Sequence, residues 1–119
     1  MGGAIVLAMS DLMFESRIAD AARRLGLKTG TVASGDSLLQ ALEGASLVVV
    51  DLQAEGFDPL DAVRQAVQSG VPVIAFGQHT QAGVLRRAHE AGAKAMARSA
   101  FFEELPVLLA SAAQAAWSP

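Results

Sequence analysis

Leu47-Val48-Val49-Val50-Asp51 is four apolar residues in a row closed by a carboxylate. Branching at Cβ favours extended backbone. A strand with no polar side must be covered on both faces, which is the situation of a strand inside a parallel sheet. Working outward, similar segments recur at residues 4–9, 28–33, 71–76 and 94–98, with the opening one at residues 47–51 in the centre. Pro72 is tolerable in the fourth because it opens the strand, where a missing N–H matters least.

Five helical patterns alternate with these strands. In the first, Phe14, Ile18, Ala21, Ala22 and Leu25 share one face, and Gly26 is placed to end the helix. Asp58-Pro59-Leu60-Asp61 is a helix start: a capping carboxylate, proline at the first helical position, then an acid near the positive end of the dipole. Gly70 closes that helix. Thr80 is expected to cap the next, which turns Val84, Leu85 and Ala88 inward and ends at Gly92. The last is expected to start near residues 101–103, with Pro106 within its first turn. Ser10 and Ser99 suit helix N-caps. Strict alternation implies right-handed crossovers with helices on both faces. The expected architecture is one α/β domain over residues 1–119, a doubly wound five-stranded parallel sheet in the order 2-1-3-4-5. Its functional crevice should lie at the carboxyl ends of strands one and three.

Bulk properties narrow the function. Hydrophobic residues are 52% of the chain and charged residues 18%, which excludes a disordered chain. No cysteine is present, so disulfides, thiolate metal sites and thiol nucleophiles are excluded together. A net charge of −3, with scattered basic residues, gives no footprint for nucleic acid. The apolar run after Met1 is short, lacks a basic lead and meets Ser10-Asp11 at once, unlike a signal peptide or a membrane span. A cytoplasmic protein is expected. No glycine-rich phosphate loop occurs. Neither Ser10 nor Ser99 has a base at hand or an elbow motif, so no catalytic residue is assigned and no enzyme is expected.

The crevice candidates are Ser10, Asp11, Asp51, Gln53, Gly77, His79 and Ser99. Asp51 is the most informative, because a carboxylate at the end of a buried strand must be paired, hydrogen-bonded or open to a cleft. Val48-Val49-Val50-Asp51-Leu52, Pro72-Val73-Ile74-Ala75-Phe76, Ala88-His89-Glu90-Ala91-Gly92-Ala93 and Phe101 follow one another in an order and spacing similar to those of a chemotaxis-type response-regulator receiver, a flavodoxin-like fold. The resemblance covers essentially the whole chain. It places Asp51 at the phosphoacceptor position. It also exposes departures: Met9 and Ser10 stand where two magnesium-binding acids are expected, with Asp11 one place late. Gly77 replaces the strand-four hydroxyl, Ser99 the strand-five lysine and Met96 the switch aromatic.

Phosphoryl transfer is mostly positioning and charge neutralisation, and magnesium asks for an octahedral set of oxygens. Asp11 and Asp51 are the weak candidates for a metal; no metal site is assigned and no cofactor is expected, magnesium included. Strand alternation is expected to turn Arg98 away from the crevice, on the side of Met96. The expected function is a non-enzymatic pseudo-receiver that works through a protein partner or self-association, possibly a homodimer, with no output domain in this chain. Arg86, Arg87, Met96 and Arg98 are the interface candidates. Trp117, in the Ala-rich tail, is an exposed aromatic that could anchor a partner. The alternatives are a single-domain response regulator still phosphorylated at Asp51 in a phosphorelay, and a small-ligand module of the flavodoxin-like kind.

Overall fold

Every strand of the computed structural model is paired in parallel, and the sheet order is β2-β1-β3-β4-β5. The structure describes residues 3–117, with side-chain surroundings given through Ala112. The strands are β1 (Ile5–Ala8), β2 (Thr29–Val32), β3 (Leu47–Asp51), β4 (Val73–Gly77) and β5 (Lys94–Ala97). The helices are α1 (Leu12–Arg24), α2 (Gly35–Leu42), α3 (Pro59–Gln68), α4 (Ala82–Glu90), α5 (Arg98–Glu103) and α6 (Leu105–Trp117). The expected topology is observed.

The apolar run of β3 has the predicted cause. Leu47 and Val49 join Ile5, Leu7, Ile74 and Phe76 in a core layer under α1, α5 and α6. Val48 and Val50 join Val6, Ala8, Val73 and Ala75 in a second layer under α2, α3 and α4. All five residues of β3 and all five of β4 are buried, whereas the edge strands β2 and β5 are short and partly exposed. Short, partly polar edges protect a sheet from further pairing.

Helix punctuation holds in part. Asp58 caps α3 by accepting from the N–H groups of Leu60 and Asp61, and Pro59 follows at the first helical position. Gly26 and Gly92 take φ of 74° and 110° just past the ends of α1 and α4. Other expectations are corrected. Asp11, not Ser10, caps α1, accepting from the N–H groups of Met13 and Phe14. Ser99 lies inside α5, after an N-cap at Ala97. Thr80 does not cap α4; Gln81 stands there and makes no side-chain cap bond. Leu25 is exposed, and Leu27 packs on the core beyond α1. The last helical pattern divides into α5 and α6. Pro106 has no N–H to continue a ladder from Phe102, so the chain breaks at Glu104 and restarts with Pro106 in the first turn of α6. Trp117 falls outside the residues whose side chains are described. Among the described residues no helix is long and apolar enough to cross a membrane.

Candidate functional site

Parallel strands leave their carboxyl ends together, and two recesses open on that edge. The smaller, about 300 Å³, is lined by Ser10, Asp11, Phe14, Asp51, Gln53, Glu55 and Arg98. The predicted residues Ser10, Asp11, Asp51 and Gln53 are therefore brought together. Asp51 is 5% exposed, and its Oδ1 accepts from the Gln53 N–H at 2.9 Å. The Asp51 carbonyl accepts from the Ala54 N–H. This short turn fixes the carboxyl while β3 gives way to the loop before α3. The Ser10 hydroxyl oxygen accepts from the Glu55 N–H at 3.1 Å and ties that loop to the end of β1.

Gly77, His79 and Ser99 do not line this crevice. Gly77 is buried beside Leu52 and Leu85, and a Cβ there would stand 3.5 Å from the first and 3.6 Å from the second, an ordinary contact. His79 and Ser99 line the larger recess, about 610 Å³, on the other side of Arg98. Arg86 and Arg87 are exposed on α4, while Met96 is half-buried and packs against the core layer beneath α1 and α6.

Arg98 corrects one half of the expectation from alternation: it lies over Phe14, in the same layer as Met96, yet it also lines the crevice of Asp51. β5 ends at Ala97 and α5 begins at Arg98, so the twofold rhythm of a strand stops one residue too early to direct this side chain. Its guanidinium lies 5.2 Å from the centre of the Phe14 ring and borders both recesses. Glu55 and Phe14 are further crevice residues that sequence reasoning missed. Glu55 lies two residues beyond Gln53 and was open to notice; Phe14 reads only as a core residue of α1.

Electrostatically the crevice is dominated by burial. Desolvation pushes the Asp51 carboxyl above its ordinary value of 3.8. The Gln53 N–H opposes that shift, the Asp11 carboxylate adds to it, and Arg98 offsets part of it. The acids Asp11, Asp51 and Glu55 line one recess, yet among the described residues no three His, Cys, Asp or Glu side chains gather where they could hold a metal ion. Asp11 also has one oxygen committed to capping α1.

A pH prediction follows from Asp51. A folded-state pKa above the unfolded value means that the folded form binds the proton more tightly. Its contribution to stability is complete below pH 3.8 and is lost as pH rises through the raised value. Asp51→Asn removes that titration. Wild type should thus gain stability relative to Asp51→Asn as the solution is acidified from neutrality towards pH 3.8. Urea midpoints of both proteins across that window measure it. A difference that is flat, or that moves the other way, contradicts the assignment.

No family model matches the chain, and no curated protein matches it in sequence. Solved structures are similar to it. The receiver domain of NtrX from Brucella abortus superposes with a TM-score of 0.80 at 20% identity, over 92% of this chain and 98% of that one. Against a longer NtrX chain from the same organism the TM-score is 0.81 at 20% identity, over 98% of this chain and 28% of that one. The receiver domain of the sensor histidine kinase PA1611 from Pseudomonas aeruginosa, which has a magnesium ion in its active-site cleft, gives 0.74 at 24% identity, over 93% and 97% of the two chains. The sheet order and these superpositions agree: the chain has the fold of a response-regulator receiver domain.

Proposed function

We propose that this chain is a receiver-type signalling module that acts through protein contacts, without a phosphorylation cycle at Asp51 and without magnesium. The observation that carries the reading is the surroundings of Asp51. A carboxylate that attacks phosphorus needs cations beside it to neutralise the charge that collects on the transferring group. Here burial is the largest influence on the carboxyl and raises its pKa, and the Asp11 carboxylate acts in the same direction. Gly77 and Ser99 stand at the positions that the resemblance gives to the hydroxyl and the lysine. Surface is available to a protein partner, or to a second copy, along α4 and the edge strand β5, where Arg86 and Arg87 are exposed.

Acetyl phosphate with magnesium is the direct test, read by intact mass. The unmodified mass is expected to persist. A substantial population gaining one phosphate would overturn the proposal.

Arg98 favours one second reading. Its charge acts on Asp51, and it lines the same crevice. A guanidinium could take the part that the resemblance gives to lysine, in a single-domain response regulator phosphorylated at Asp51 within a phosphorelay. A phosphate gain abolished by both Asp51→Asn and Arg98→Ala would establish that reading in place of the first.

A further inference from the structure

The larger recess lies between α1, the connection after β4, and α5. It is not the crevice of Asp51, which does not line it. Two guanidiniums border it from opposite elements. Arg17, on α1, sits 4.0 Å from the centre of the Phe102 ring; Arg98, on α5, sits 5.2 Å from the centre of the Phe14 ring. The two rings are themselves 5.3 Å apart, so the two arginines rest on one aromatic platform. A guanidinium over an aromatic face is attracted to the ring, and this leaves its N–H groups available.

Neither cation sits in a close ion pair within the described residues, though the charge of Arg98 also reaches Asp51. Among the described residues the ion pairs are those of Arg23 and Arg24 with Asp20, and Arg17 and Arg98 are in none. The lining holds two guanidiniums against one carboxylate, Glu103, within a chain whose net charge is −3. Ser99 adds a hydroxyl and Gln78 an amide to the same lining. Paired guanidinium forks with a hydroxyl nearby suit a phosphate group better than a carboxylate, because three terminal oxygens can be shared among them. A volume of about 610 Å³ exceeds the need of a bare ion and falls within the range of small-molecule sites, roughly 300–1,000 Å³. A flat body can stack on a guanidinium plane, and Glu103 can accept from an amino group at its edge.

We propose that this recess binds a nucleoside phosphate, with Arg17 and Arg98 holding the phosphate and Glu103 facing the base. The site is not the Asp51 crevice but shares Arg98 with it, so Arg17→Ala, which touches this recess alone, separates the two.

The test uses the intact chain and four probes: ADP, GDP, adenosine and pyrophosphate. Calorimetry gives affinity, and amide chemical shifts give location. Saturable binding of ADP or GDP is expected, with shifts at Arg17, His79 and Ser99, and weaker binding of adenosine and pyrophosphate. Arg17→Ala and Arg98→Ala should each weaken the nucleotide about tenfold or more, as loss of a charge-assisted hydrogen bond does. Arg86→Ala, an exposed change on α4, should leave it unaltered. Ser99→Glu places a second carboxylate in the recess from an exposed helical position, and should abolish binding while the protein stays folded. Absence of saturable binding by either nucleotide would overturn the proposal. So would binding indifferent to Ser99→Glu, shifts confined to other surfaces, or pyrophosphate binding as tightly as ADP and GDP.

Discussion

Phe76→Ala is expected to remove about 3–5 kcal/mol of folding stability, the usual cost of deleting a fully buried aromatic ring. Phe76 lies on β4 with no exposed surface and stacks on Phe101, with centroids 4.7 Å apart and planes 15° from parallel. Phe14 meets it edge-on at 5.7 Å, and Phe102 meets it at 5.6 Å. Three neighbouring rings would thus lose a partner at once, and the cavity left behind lies beneath the platform that carries Arg17 and Arg98. Domains of this size are stable by about 5–15 kcal/mol, so the variant should remain folded only narrowly. Its thermal midpoint should fall by roughly 10–20 °C. Urea unfolding measures the loss directly, and the denaturant slope should be unchanged if the loss is in the native state. Phe76→Leu, which fills most of the space, should recover more than half of it. A cost below about 1.5 kcal/mol for Phe76→Ala would show that the neighbouring rings close the gap, contrary to close packing.

Gly92→Ala is expected to cost about 2–4 kcal/mol, from two sources that can be separated. After α4 the Gly92 N–H donates to the His89 carbonyl and the Ala93 N–H to the Ala88 carbonyl. These two bonds close the helix in a Schellman arrangement that requires a left-handed residue between them. Gly92 supplies it with a φ of 110°, where a side chain is strained whatever room it has. Room is also lacking, because an added Cβ would stand 2.9 Å from a Val67 methyl on α3. The combination Gly92→Ala with Val67→Ala relieves the crowding and leaves the strain. A double-mutant cycle should return a favourable coupling between the two sites of about 1 kcal/mol or more. Strict additivity would place the whole effect in the backbone. Because this turn feeds β5, the melting of Gly92→Ala should be accompanied by loss of protection at the β5 amides before the rest of the sheet.

The unbroken apolar run of β3 implied two covered faces, and both are covered. Asp58-Pro59 and the glycines at 26 and 92 marked helix ends by conformational preferences that act within a few residues, and those ends lie where the preferences put them. The need of Asp51 for a partner was legible for the same kind of reason: a carboxylate directly after three valines must be paired, hydrogen-bonded or open to a cleft. Such properties are local, and the sequence by itself determined them. The direction of Arg98 was not local. It depended on β5 stopping at Ala97, which the four-residue edge strand and the start of α5 settle between them. The role of Asp11 as a helix cap, in place of Ser10, turned on a one-residue difference in where α1 begins. The grouping of Phe14 and Arg17 from α1 with Phe102 from α5 joins residues 88 and 85 positions apart, and nothing in the spacing of either helix announces the other. Only the tertiary structure decided these features, because a sheet brings its carboxyl ends together through pairings between strands, and the side chains gathered there are selected by distance in space alone.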